Sequence, residues 1–282
     1  MAGPAELIGM FGPSFRTRRW VASIVTLLAV GVVALAAWIE DGRLGKASFL
    51  TGSTVLACLV LLVLLGIRRR LPVLPLGSVS TWTQIHIYLG FFTTAVYLMH
   101  VPAVVGNGWF EGGLSLVFLA VTLSGFYGLY VSRRVPKLLT AVEGQHRFDR
   151  VGWHRGQIAE TAGNLLDELT EQSAQAVLGS FYRTYLSPFF GSRPTLAYVL
   201  VPSGVRRRRL LSGLKELDRY LEGEGRTTAG RFAALVRRRD DLDYQYALQL
   251  RLRLWLVFHG VLSTTLLAGG IIHGVIAWRF AS

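Results

Sequence analysis

A single cysteine, Cys58, is all that 282 residues supply. One thiol excludes an internal disulfide, a thiolate-held iron–sulfur cluster and a thioether-linked haem, so any metal or haem must be held by other ligands. Charge is also scarce: 17% of the residues are charged against 51% hydrophobic, and a mean hydropathy of +0.41 is too apolar for an ordinary soluble domain. The chain contains no GxGxxG or Walker-type phosphate loop, so nucleotide chemistry has no visible seat. Internal repeats and low-complexity tracts are missing as well.

What is present is a set of long apolar runs. Five approach the ~20 residues that a spanning helix needs: Trp20 to Ile39, Ser48 to Ile67, Trp82 to Val101, Leu114 to Val131 and Leu254 to Trp278. Trp20, Trp38, Trp82, Trp109, Trp255 and Trp278 fall at or near their ends, where an amphipathic ring sits at headgroup level. The first run follows Arg16, Arg18 and Arg19 and contains Ala34 to Ala36, the outline of a cleaved leader; it is expected to stay as an anchor.

Basic residues set the expected orientation, because lysine and arginine near helix ends favour the cytoplasm. Arg16, Arg18 and Arg19, then Arg68 to Arg70, then Arg133, Arg134 and Lys137, then Arg251 and Arg253 all fall on one side if there are five spans. The expected location is the bacterial inner membrane, multi-pass, with a cytoplasmic N-terminus. The fold class is therefore all-α: a five-span bundle, residues 1–131 holding spans one to four and 254–282 the fifth, around a basic cytoplasmic insert at 132–253.

The insert carries 21 basic and 13 acidic side chains, a balance of +8 in a chain whose total is +13. Apolar residues recur at helical spacing in Ile158 to Val177, Val205 to Leu221 and Phe232 to Leu250, and the last should run directly into the fifth span. Strand character is confined to Thr195 to Val201. The runs Arg206 to Arg209 and Arg237 to Arg239 read as solvated faces or lipid-headgroup contacts. Nucleic acid is disfavoured, since no aromatic residue interleaves the runs and the insert is tethered to the membrane.

Four of the six histidines form two matched pairs. His86 and His100 lie 14 residues apart in the third span, and His259 and His273 lie 14 apart in the fifth. That interval is close to four helical turns, so each pair shares a helix face at two depths ~21 Å apart. With one span between them, the two helices run parallel, which brings His86 level with His259 and His100 level with His273. Histidine is costly in hydrocarbon and marks function there by default. No Asp or Glu lies inside any run, whereas a zinc site or proton relay would want carboxylates converging with histidines at one depth. Two facing histidine pairs at two depths are what two bis-histidine haems b require. The glycines Gly90, Gly260, Gly269, Gly270 and Gly274 are candidates to leave room for the macrocycle, and Thr93, Thr94, Ser263, Thr264 and Thr265 are candidates to hydrogen-bond around the ligands.

These paired histidines resemble the transmembrane domain of the ferric reductase and NADPH oxidase family, whose membrane core carries electrons through two stacked b haems. The spacing is also similar to that in the four-helix core of the quinol–cytochrome c reductase cytochrome b. "SGFYGLYVSRRVP", Ser124 to Pro136, resembles a helix-end motif of bacterial diheme b proteins. The resemblance covers the five spans and not the insert, and it implies His86, His100, His259 and His273 as axial iron ligands. The chain departs from it in having no flavin or nicotinamide domain after the fifth span and no "PEWY" quinol motif. The expectation is an electron-transfer cytochrome b subunit of an oxidoreductase, with a redox protein docking on the insert, membrane lipid around the spans and a quinone as a candidate second substrate. Arg68, Arg69, Arg70, Arg133, Arg134, Arg251 and Arg253 are placed to pair with haem propionates. His146 and His154 are expected at a solvated surface. The competing class is a non-redox membrane subunit for assembly or for proton or metal transport, in which the insert is the interaction module.

Overall fold

The computed structural model describes residues 15–43, 45–68, 78–140 and 148–281. Among them the chain is helical throughout, without strands. In order the α-helices are α1 Phe15–Gly42, α2 Ala47–Arg68, α3 Val79–His100, α4 Trp109–Thr140, α5 Phe148–Asp167, α6 Gln172–Phe181, α7 Ser187–Gly191, α8 Leu196–Leu200, α9 Val205–Leu217 and α10 Gly223–Ala281. A π-helical turn, Tyr182–Leu186, joins α6 to α7, and a 3₁₀ turn, Asp218–Tyr220, follows α9.

Four of these, α1, α2, α4 and α10, contain stretches long and apolar enough to cross a membrane. Their apolar side chains face outward in number: Leu27, Val32, Leu64, Leu123, Val257 and Val275 are all exposed. A helix apolar on its outer surface needs lipid as solvent. The third expected span, α3, has the length but not the hydropathy, because Gln84, His86 and His100 interrupt it. Its inner face is buried at Thr93, Val96 and Tyr97, while Gln84, His86 and His100 are half-buried.

The chain divides into two compact units, one comprising residues up to Phe126 and from Val257 onward, the other Tyr127–Leu256. In the first, α3 packs on α1 and α2, and these two pack on each other. Its core is an apolar layer drawn from all five helices: Val33 of α1, Val55 and Leu59 of α2, Val96 and Tyr97 of α3, Phe118 of α4 and Leu266 of α10. Tyr97 stacks on Phe118 with ring centroids 3.8 Å apart, and its hydroxyl donates to Val104 O at 2.7 Å, tethering the α3–α4 connection.

The second unit surrounds a separate core in which Val151 and Ile158 of α5, Phe189 and Phe190 of α7, Leu214 of α9 and Phe232 and Val236 of α10 interlock. The helical spacing expected over Ile158 to Val177 is interrupted, since α5 ends at Asp167 and α6 begins at Gln172. Thr195 to Val201 is not a strand. Thr195 caps α8 by accepting from Tyr198 N at 3.3 Å, and burial of Val199 overrides the β-propensity of the segment. The continuity expected at the end of this unit does occur, as α10 is one helix of 59 residues. A side chain at Gly128 would collide with the indole of Trp255, so this close approach of α4 and α10 depends on glycine.

The expectation that Arg237 to Arg239 form a solvated face fails at Arg239, which is fully buried. It forms an ion pair with Asp243 one turn on, and its Nη2 donates to Ser192 O at 2.7 Å. Arg155 Nε reaches the same carboxylate at 3.4 Å. A guanidinium survives burial only with a carboxylate and further acceptors around it, and a run of three arginines does not announce which of them the helix turns inward. Within the other run, Arg206 stacks over Phe189 at 5.0 Å and Arg207 pairs with Asp241 at 3.2 Å. Arg208 and Arg209 are exposed.

Candidate functional site

Each histidine of the two pairs is half-buried in the first unit. Helix α3 carries His86 and His100, and α10 carries His259 and His273. The structure brings His86 to His259, with ring centroids 6.4 Å apart and planes at 68°. It brings His100 to His273 at 6.3 Å and 75°. The pairing by depth expected from two parallel helices is the pairing seen. Between the two levels Leu266, seven residues from each histidine of its helix, is buried with Val96, and Thr93, seven residues from each histidine of α3, is buried as well.

An imidazole nitrogen binds a metal at about 2 Å, so two imidazoles on opposite sides of one ion have ring centres roughly 6 Å apart. Both pairs stand at that separation. Among the described residues no three His, Cys, Asp or Glu side chains gather as a metal-holding group, so each level offers two protein ligands. Two axial ligands with the equatorial positions filled by a macrocycle is the coordination that such a pair suits.

The expected role of the glycines divides. An added Cβ at Gly90, one turn after His86, or at Gly260 would have no neighbour within 4 Å, so these two border open space beside the His86–His259 pair. Gly269, Gly270 and Gly274 face Leu114, Leu56, Leu59 and again Leu56, and serve helix packing. Gly52, unremarked in the sequence, lies against the His100 ring.

Four of the five hydroxyls expected to support the ligands are engaged elsewhere. Thr93 donates to Leu89 O, Thr94 to Gly90 O, Ser263 to His259 O and Thr264 to the carbonyls of Gly260 and Val261. On an apolar helix a hydroxyl's nearest acceptor is the carbonyl one turn back. The hydroxyls that do touch the rings come from other helices. Ser124 Oγ of α4 lies 2.5 Å from His259 Nδ1, and Thr51 Oγ1 of α2 lies 3.2 Å from His100 Nδ1. Ser124 opens the quoted Ser124 to Pro136 motif, but spacing along one helix cannot reveal a partner on another.

At the level of His100 and His273, Phe110 adds a ring 6.3 Å from His273. A cleft of about 380 Å³ opens beside His100, walled by Ala34, Ala37, Ala47, Ser48, Met99 and Pro102.

Two of the arginines expected near propionates, Arg134 and Arg253, have partners within the second unit. Arg134 donates to Tyr130 Oη at 2.8 Å, and Arg253 covers the Phe148 ring at 4.0 Å and approaches Asp149 at 3.9 Å. Arg69 and Arg70 lie outside the described residues, as does His146. His154 is half-buried and sets its ring edge-on to Trp153 at 4.8 Å.

No family model matches the chain, and no curated protein or solved structure matches it either, so the resemblance to the ferric reductase and NADPH oxidase membrane domain stands on the histidine pattern alone.

Proposed function

We propose that this protein is a five-span diheme b-type cytochrome that passes electrons across the membrane, between a cytoplasmic redox partner and an outer acceptor or quinone. The observation that carries the reading is the repeated ring separation: two histidine pairs, at two depths of the same two helices, each hold their centres 6.3 to 6.4 Å apart. A chance interhelical histidine contact has no reason to recur at one distance four turns away. In this reading α3 also spans the membrane, as the third of five helices, its low hydropathy being the cost of carrying the ligands.

His86 and His259 would hold the inner haem, His100 and His273 the outer one. Haem supplies one-electron chemistry when bound. The chain's own part is to fix the imidazoles, to keep the intervening layer apolar through Val96, Phe118 and Leu266, and to exclude water. The cleft beside His100 is where a quinone or another small acceptor would reach the outer level. The exposed arginines of the second unit would receive an acidic redox protein or subunit.

The test is optical and stoichiometric. Purified protein should give sharp reduced α and Soret bands, and a pyridine haemochrome assay should return two haems b per chain. A preparation from haem-replete cells that stays colourless would end the proposal.

A further inference from the structure

Ser124 and Thr51 each set one hydroxyl between helix backbone carbonyl oxygen and an imidazole nitrogen, and counting protons decides what those contacts are. A hydroxyl has one proton to donate and two lone pairs. Thr51 Oγ1 lies 3.1 Å from Ala47 O and 3.1 Å from Ser48 O, both pure acceptors. Its third neighbour is His100 Nδ1 at 3.2 Å. Were the proton turned toward the ring, the threonine oxygen would face two carbonyl oxygens lone pair to lone pair. The proton therefore goes to the helix backbone, and the ring nitrogen is the donor. Ser124 repeats the arrangement: Oγ donates to Val121 O at 3.1 Å and meets His259 Nδ1 at 2.5 Å. On this proton count each ring carries its proton on Nδ1 and its lone pair on Nε2.

We infer that Ser124 and Thr51 are positioning residues that fix the metal-binding tautomer of His259 and His100, and so set the reduction potentials of the inner and outer haem separately. The inference rests on the diheme reading. A ligating histidine whose other nitrogen donates a hydrogen bond is held in orientation and becomes a stronger electron donor through the ligating nitrogen. Greater donation favours ferric over ferrous iron, so each hydroxyl holds its haem's potential down. The two levels use different helices for this, α4 for the inner pair and α2 for the outer, so one potential is adjustable without the other.

The experiment is a spectroelectrochemical titration of full-length protein in detergent, with a haemochrome count on every sample. The variants are Ser124→Ala, Thr51→Val, and the conservative Ser124→Thr and Thr51→Ser. Ser124→Ala should raise the potential of the component that is missing in His86→Ala, and Thr51→Val that of the component missing in His100→Ala. Each variant should retain two haems and leave the other component in place. A tenfold gain of ferrous over ferric form corresponds to about 59 mV for one electron, well within the resolution of the method. Ser124→Thr and Thr51→Ser, which keep the hydroxyl, should titrate as the wild type. Two retained haems with unmoved potentials would overturn the inference and leave the diheme reading intact, whereas a wild type without haem would fail the diheme reading itself. If either apolar variant loses its haem, restoration of haem and potential by the hydroxyl-bearing variant supports the hydrogen bond. Failure of that variant to restore them makes the role steric and overturns the inference.

Discussion

Gly52 of α2 faces the imidazole of His100 so closely that a Cβ added there would stand 2.8 Å from the ring's Cε1. The ring cannot retreat freely, since Thr51 holds its Nδ1 and His273 faces it across 6.3 Å. Gly52→Ala is therefore expected to displace His100 and, on the diheme reading, to weaken the His100–His273 site alone. Haem content should fall from two toward one per chain, with the inner component's spectrum unchanged. Two intact components in this variant would show that α2 yields instead of the ring.

Because the rings pair by depth, single histidine substitutions should fall into two classes. His86→Ala and His259→Ala are expected to delete one spectral component, and His100→Ala and His273→Ala the other. On the diheme reading, a haem that loses one of its two imidazoles would find no cluster of other His, Cys, Asp or Glu side chains at that level among the described residues. Low-temperature reduced spectra of the four variants check this. If His86→Ala resembled His273→Ala instead of His259→Ala, the observed pairing would be wrong. His154→Ala should leave both components, since that ring packs against Trp153 in the second unit.

The histidine pairs were readable in the sequence because they obey a rule internal to one helix: 14 residues return a side chain to nearly the same face. Helix type was readable for the same reason, wherever apolar periodicity was long. What escaped were relations between helices. Ser124, Thr51 and Gly52 touch the paired histidine rings of other helices, and nothing in local spacing points across. Arg239 escaped because burial of one arginine among three depends on the distant acceptor Ser192 O and on Arg155. The short helix Leu196–Leu200 escaped because a five-residue segment is decided by its cap and its packing, not by its β-rich composition.

The buried ion cluster of the second unit makes a prediction about pH. Burial raises the Asp243 carboxyl above its ordinary value of 3.8, against the opposing pull of Arg239, and burial likewise raises Asp240, opposed first by Arg207. A raised folded-state value means that the folded protein holds more protons than the unfolded chain between the ordinary carboxylate range and the raised one. Stability contributed by these two groups is thus present at acid pH and declines as pH rises through that window. Asp240→Asn should flatten this decline in thermal unfolding of the purified protein. Arg239→Ala leaves Asp243 buried without its main partner and is expected to cost about 3 to 5 kcal/mol. A pH slope unaltered by Asp240→Asn would refute the assignment.

The last prediction concerns the exposed cations. If the second unit receives an acidic redox partner, long-range attraction should raise the encounter rate, and the effect should fade as the screening length shrinks from ~10 Å at 0.1 M salt to ~3 Å at 1 M. The residues to alter are Arg208, Arg209, Arg237 and Arg238, all exposed. Arg239 is excluded because it is buried, and Arg206 and Arg207 because they pack on Phe189 and pair with Asp241. Replacing the four with glutamine should slow haem reduction by the membrane-free cytoplasmic fraction roughly tenfold at low salt, the lower end of what steering supplies. At 1 M salt wild type and variant should converge, with two haems in each. Contact with anionic lipid alone would give a different pattern, in which the variant loses affinity for anionic liposomes while its reduction rate in detergent is unchanged. Stopped-flow rates indifferent to both salt and the four substitutions would sink the docking surface and leave the haem assignment untouched.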